Sequence, residues 1–533
     1  MIKNIFEIFN KMKRILIIAF CLLNSVWVAQ AQFQSEYDAL KIGATELNGT
    51  ARFMGVAGAM GALGGDASTL FYNPAGIGTY RSSELTFTGN FNWTNTNASG
   101  DKEGQFLFNM NNISYIGAIN TGRDNGLVTF NFGLAYNRAK SFDRDIHYSN
   151  TTDNSMGDFL ANYTQNSGNA SNYNSDALVA SDAYNNADVP WMSVLGWDGL
   201  LIANTNDGTN DILDEYESYR NYLTSQGYSG SLISSYTLAE RGGINEYAFT
   251  AGGNVSNLVQ FGLSLVLVDL DYNMTSTFKE TLADNSSLTY KNVYECDGSA
   301  FNMKIGAIVK PTSWLRIGAA FHTPSWYYIT DSNQGSINSR AIEINKTESA
   351  STPWGYGSYY LNTPLKALGS LGFVIGQYGF IDVDYEYANY KGMVMKNNDD
   401  VDSRMEEQND KIDANFKDTH TIRVGGEYIP FKNFAIRLGY SFSTSPIKED
   451  AYRTYATNTV RTDTEFLNDK SLSYITSGIG YKFGRSSLDL TYVLKTKVQD
   501  FYPYNPTYVT NFDGPIEITS KHNQILLTYG VRF

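Results

Sequence analysis

Gln524-Ile525-Leu526-Leu527-Thr528-Tyr529-Gly530-Val531-Arg532-Phe533 is the stretch that decides the fold class. In an extended chain, Ile525, Leu527, Tyr529, Val531 and Phe533 share one face, and Gln524, Leu526, Thr528, Gly530 and Arg532 share the other. The same period of two recurs upstream. Ile381, Val383, Tyr385 and Tyr387 alternate with Asp382, Asp384 and Glu386; Ile422, Val424 and Tyr428 interleave with Arg423 and Glu427; Ile436, Leu438 and Tyr440 flank Arg437. Charge confined to one face marks a strand between an apolar environment and a wet one. In a barrel crossing lipid, the apolar face points outward and the charges line the lumen.

Fourteen such segments can be read, at 84–93, 112–120, 126–137, 246–255, 258–272, 298–310, 313–322, 365–376, 379–391, 418–429, 433–443, 471–483, 486–496 and 522–533. Most are close to the ~9–11 residues of a tilted membrane strand. Short connections at 121–125, 256–257, 311–312, 377–378, 430–432 and 484–485 alternate with long ones at 94–111, 138–245, 273–297, 323–364, 392–417, 444–470 and 497–521. Short periplasmic turns with long outer loops are the outer-membrane arrangement, and a soluble sandwich has no reason to alternate this way. The expected fold is all-β: a 14-stranded antiparallel transmembrane β-barrel over 82–533, with one long, partly helical outer loop at 138–245.

Composition agrees. Aromatics make up 14% with 38 Tyr, and 47 Gly are present, which suits aromatic girdles and close strand contacts. Mean hydropathy is −0.30 and no internal run approaches the ~18 apolar residues of a membrane helix. Lys3, Lys11, Lys13 and Arg14, the apolar run 15–28 and Ala29-Gln30-Ala31 read as a secretory leader over 1–31, cleaved before Gln32. Phe20 ahead of Cys21 does not fit a lipoprotein signal. Only Cys296 then remains, so no intrachain disulfide is expected, and a net charge of −14 argues against a nucleic-acid partner.

A fourteen-stranded barrel leaves a lumen wider than its own side chains fill. Residues 32–81 are the expected plug: positions 43–78 hold nine Gly and seven Ala among Phe53, Met54, Met60, Leu63, Leu70, Phe71 and Tyr72. Here the sequence resembles a known family. Ala51-Arg52-Phe53-Met54-Gly55, then Gly65-Asp66-Ala67-Ser68-Thr69-Leu70-Phe71-Tyr72-Asn73-Pro74-Ala75-Gly76, is similar to the hatch of the FadL/TodX family of outer-membrane transporters for long-chain fatty acids and other hydrophobic compounds. Gly318-Ala319-Ala320-Phe321-His322-Thr323-Pro324-Ser325-Trp326 and Asp384-Tyr385-Glu386-Tyr387 look like its barrel segments. The resemblance implies passive uptake: capture at the outer loops, a hatch that shifts when ligand arrives, and lateral release at a kink in the third strand. It also implies that the barrel-insertion machinery reads the terminal Phe533. Action as a monomer, with the outer-membrane bilayer and a hydrophobic small molecule as partners, is expected.

Each candidate site has a plain reading beside the functional one. Asn73-Pro74-Ala75 is a turn signal, but after a Gly/Ala-rich plug it is also a candidate gate, with Phe71 and Phe53 beside it. Trp191, Met192, Leu195 and Trp197 either form the long loop's own core or line an apolar ligand groove; residues 211–226 read as a helix. Gly133, between Phe132 and Leu134 in the third strand, is compatible with a bulge and marks the candidate lateral opening. Arg316, Arg423 and Arg437 fall on lumen faces, where lumen carboxylates are the ordinary partners and a substrate carboxylate the special one. His147, His322, His420 and His522 are placed near the outer rim as solvated side chains, without metal-ligand spacing. No nucleophilic constellation and no Gly-Lys-Ser/Thr phosphate loop is present, so neither an enzyme, a cofactor nor a metal is expected. The competing reading is a surface adhesin or a haem-binding receptor using the long loop.

Overall fold

The computed structural model describes residues 34–166, 175–186, 188–205, 216–398, 403–456 and 459–533. The leader expected at 1–31 and the first part of the helix expected at 211–226 lie outside them. Fourteen antiparallel strands form one closed ring: β1 (Glu84–Ala98), β2 (Asp101–Asn120), β3 (Leu127–Ser141), β4 (Leu232–Val255), β5 (Val259–Thr281), β6 (Ser287–Val309), β7 (Leu315–His322), β8 (Lys366–Ile375), β9 (Gly379–Ala388), β10 (Thr419–Phe431), β11 (Phe434–Thr444), β12 (Phe466–Phe483), β13 (Ser486–Tyr502) and β14 (Ile516–Arg532). Each pairs with the next. β14 returns to β1 in unbroken register from Glu84↔Arg532 to Ala98↔Ile518, which closes the ring. All fourteen fall on segments with period-two patterning.

The two faces differ as the patterning requires. Phe87, Phe91, Leu263, Leu265, Phe373, Ile381, Leu438, Leu490 and Leu527 point outward and are exposed, a belt around the ring that only lipid would cover. Thr88, Asn90, Ser264, Asp382, Asp384, Arg423 and Arg437 point inward and are buried.

Several connections expected to be long loops are instead strand. β1 and β2 run on to a turn at Ser99-Gly100, through the expected loop 94–111. β5 and β6 each contain 23 residues and turn only at 282–286, through the expected loop 273–297. Within 323–364, Trp326–Ala341 continues the wall beside β6 and pairs with Gly355–Asn362. Within 138–245, β4 begins at Leu232 and Arg144–Thr152 pairs with it. At ~3.3 Å per residue a 23-residue strand is ~76 Å long, far more than a bilayer needs.

β5 shows why. Its outward residues are Phe261, Leu263, Leu265 and Leu267, then Asp269, Asp271 and Asn273; its inward residues are Gln260, Gly262 and Ser264, then Val266, Val268, Leu270, Tyr272 and Met274. The period of two persists while the faces exchange polarity near Leu267. Above that level the wall is a water-facing barrel with an apolar interior, closed by a cap containing the helices Met156–Asn166, Trp191–Asp198 and Tyr219–Ser225. In the described part of the helix expected over 211–226, Tyr216–Ser218 is instead paired with Ile202–Asn204, and the helix Tyr219–Ser225 follows it, with the Ser218 hydroxyl accepting from the Asn221 N–H at 3.0 Å.

Candidate functional site

Residues 35–80 lie inside the ring, and the lumen wall supplies the partners their backbone needs. A plug rich in Gly and Ala carries few side-chain hydrogen-bonding groups of its own, so buried N–H and C=O groups must be satisfied from outside it. On β9, Asp384 accepts from the Gly61 N–H (3.1 Å) and Asp382 from the Ala62 N–H (3.4 Å). Thr528 on β14 accepts from the Ala51 N–H at 2.7 Å, while Thr491 on β13 donates to the Ala51 carbonyl at 2.6 Å. Thr476, Ser264 and Asn131 donate to the carbonyls of Gly55, Leu70 and Ile77. These polar inward positions, which a transmembrane barrel has to fill with something, here form a bed cut to the plug.

Asn73 is fully buried at the centre of this docking. Its amide donates to the carbonyls of Gly61 (2.6 Å) and Ala307 (3.4 Å), and its Oδ1 accepts from the Ala75 N–H at 3.2 Å, capping the 3₁₀ turn Pro74–Thr79. Close approach demands glycine on the wall: a Cβ at Gly306 would stand 1.9 Å from Asn73 Oδ1, and one at Gly262 would stand 2.1 Å from the Pro74 carbonyl oxygen. Phe53 packs on Tyr72 inside the plug, with ring centroids 4.6 Å apart. Phe71 faces upward, and the Lys304 ammonium lies 5.6 Å from its ring centroid.

Two cavities lie above the plug on either side of residues 43–47, and both touch Ala44, Glu46 and Asp469. The first, about 140 Å³, is lined among others by Phe71, Tyr72, Lys304, His322 and Arg423. The second, about 130 Å³, has walls of Tyr37, Leu40, Phe142, Leu238, Met274 and Phe501, with Lys140, Lys495 and Lys497 at one end. Neither contains the expected groove residues. Trp191, Met192 and Leu195 are buried in the cap's own core, and Trp197 packs half-buried against it, because the helix Trp191–Asp198 is apolar nearly all round.

The histidines also part from expectation. His147 and His420 are at the surface. His322 and His522 point inward and are buried: His322 Nε2 donates to the Tyr72 carbonyl at 2.7 Å, and His522 Nδ1 meets the Thr94 hydroxyl at 2.9 Å. Both point into the lumen, where the plug (Tyr72) or the neighbouring wall (Thr94) covers them, so rim position did not mean solvent. Among the described residues no cluster suited to a metal ion occurs. Arg423 pairs with Glu386 at 2.8 Å, and Arg437 binds Glu427 (2.6 Å) and Asp489 (2.7 Å). Arg316 donates to the Leu63 carbonyl at 3.0 Å.

Gly133 is not a bulge. The β2–β3 and β3–β4 ladders pass through it without a register shift, and its missing Cβ makes room for Leu70 and Ile77 of the plug. The irregularities lie elsewhere. The β2–β3 ladder stops at Asn112↔Asn137, β3 shifts register against β4 between Arg138 and Lys140, and Asn111 bulges out of the β1–β2 ladder to donate to the Gly49 carbonyl. Above Asn112, β2 is held by β1 alone until the Ser149 N–H meets Asp101 at 2.9 Å. The hydrogen-bonded wall is therefore interrupted beside Asn109, Asn111, Arg138 and Ser141, which line a small polar cavity.

Residues 248–457 match the sequence model of a family described as outer membrane protein transport protein (OMPP1/FadL/TodX). Comparison with curated proteins gives no match. Among solved structures, a FadL homologue from Pseudomonas aeruginosa superposes with a TM-score of 0.50 at 14% identity, covering 92% of this chain and 100% of its own. The toluene transporter TodX of P. putida gives a TM-score of 0.48 at 11% identity, covering 92% and 99%. The Ralstonia pickettii toluene transporter TbuX gives 0.46 at 10% identity, covering 91% and 98%. The chain thus has the β-barrel fold of a FadL homologue and is similar in sequence, over residues 248–457, to the OMPP1/FadL/TodX family.

Proposed function

We infer that this outer-membrane barrel of FadL/TodX type is a passive uptake channel for hydrophobic compounds, long-chain fatty acids among them. The observation that carries the reading is the interrupted wall beside a plugged lumen: the break between β2 and β3 adjoins the plug at Gly49, at a level where Phe106, Phe108 and Met110 of β2 face outward and exposed. A greasy molecule entering the cavities above the plug would leave sideways there, at the Asn112–Asn137 end of the ladder, and not at Gly133. The plug would shift as its contacts with the wall are exchanged for contacts with the ligand, a population shift between two packings. Asn73-Pro74-Ala75, wedged against Gly262 and Gly306, is the part that must disengage. The chain would act as a monomer, after assembly by machinery that reads the strand ending in Phe533.

The test is uptake into liposomes bearing the purified protein, comparing a labelled long-chain fatty acid, a monoaromatic hydrocarbon and a small sugar. Faster entry of either hydrophobic probe, without the sugar, is expected. Entry of the sugar alone would make the protein an open porin.

A further inference from the structure

The periplasmic mouth carries a second feature that hydrophobic uptake does not use. A cavity of about 400 Å³ lies where the plug meets the wall at the short-turn end, bordered by Arg52 and residues 63–65 of the plug and by Arg81, Arg316, Lys482 and Arg532. Two of these cations are matched: Arg532 by Glu84 at 3.2 Å, and Arg52 by Glu427 at 3.2 Å, although Glu427 also serves Arg437. Arg81, Arg316 and Lys482 have no ion-pair partner among the described residues. The Arg81 guanidinium donates to the Asn257 amide oxygen and Arg316 to the Leu63 carbonyl, and Asp382 is engaged by the N–H groups of Ala62 and Val383. The concentration is local, since the whole sequence has a net charge of −14. Its field reaches the neighbouring turn: burial first, then Arg316 and Arg81, brings the Lys310 ammonium down to about 8.

We propose that this mouth is a binding site for a multivalent oxyanion, a phosphate or small polycarboxylate, that fastens the plug to the wall from the periplasmic side. Guanidinium forks match such oxygens two at a time, and a cavity bordered by unneutralised cations gains most from a dianion. The site straddles the seam. Arg52 holds the Gly65 carbonyl at 2.9 Å from within the plug, and Arg316 holds the Leu63 carbonyl from the wall. An anion between them cancels the repulsion that would otherwise drive these two tethers apart. The ligand comes from solution, because the rim residues Arg81, Lys482 and Arg532 are exposed inside the ring of turns.

Isothermal titration of the purified full-length mature protein with inorganic phosphate and with citrate, against chloride at matched ionic strength, tests this. Saturable binding of phosphate or citrate, at least about tenfold tighter than chloride, is expected. Amide exchange at residues 61–66 should slow when the anion is present. Lys482→Gln, at an exposed position, and Arg316→Gln should each weaken binding several-fold. Equal titrations for phosphate, citrate and chloride would overturn the proposal, and so would binding that Lys482→Gln leaves unchanged or exchange at 61–66 that the anion does not slow.

Discussion

Burial takes Glu280 out of water at the top of β5, where the Met156 N–H and the Ser155 hydroxyl donate to its carboxylate over 2.6 and 2.8 Å. Both donors and Arg220 favour the charged form, while the Asp158 charge opposes it. Desolvation outweighs them and pushes the group up from 4.5 to about 7. Between about 4.5 and about 7 the folded cap holds a proton that the unfolded chain releases, so stability is full below that window and falls as pH rises through it. The loss is on the order of 3 kcal/mol if the whole shift is felt. Limited proteolysis should therefore cut the cap faster at pH 8 than at pH 5, and Glu280→Gln, which keeps an acceptor without the charge, should remove the difference. An unchanged difference in that variant would assign the pH effect to another group. Such details were not legible in the sequence: Glu280 meets residues more than a hundred positions away, as does Asn73 at Ala307. The burial of His322 and His522 is illegible for the same reason, since their partners Tyr72 and Thr94 belong to distant segments.

Among the elements, the long strands carry the lesson. Their membrane-spanning parts were readable because each has one unbroken apolar face. Their upper parts were not, because Tyr272, Met274 and Phe278 alternate with Asn273, Thr275 and Lys279 on exchanged faces, and such a stretch scans as mixed loop. The exchange makes a quantitative prediction. Leu265→Arg, in the outward belt, should cost ~2–4 kcal/mol in guanidinium unfolding of the protein folded into vesicles. Asn273→Arg, on the same face four pairs above, should change stability by less than ~0.5 kcal/mol. Comparable losses at both positions would move the lipid boundary above Asn273.

At the scale of the whole molecule, the plug separates a sealed barrel from an open one. Deletion of residues 34–80 removes the plug groups bonded to the inward Asp382, Asp384, Thr491 and Thr528, leaving a polar bore that fills with water. Planar bilayers containing the deletion protein should show large, steady ion conductance where the intact protein shows little. A silent deletion protein would mean that the cap, not the plug, closes the lumen. The closing seam has a kinetic consequence. β1 follows directly from the plug and pairs with β14 at the opposite end of the barrel sequence, so this ladder has the longest loop to close and belongs among the slowest contacts to form. Chains do not thread through finished rings. The N-terminal segment, first to emerge during synthesis, must therefore be lying among the nascent strands before β14 arrives, and the final zippering of β14 onto β1 imprisons it.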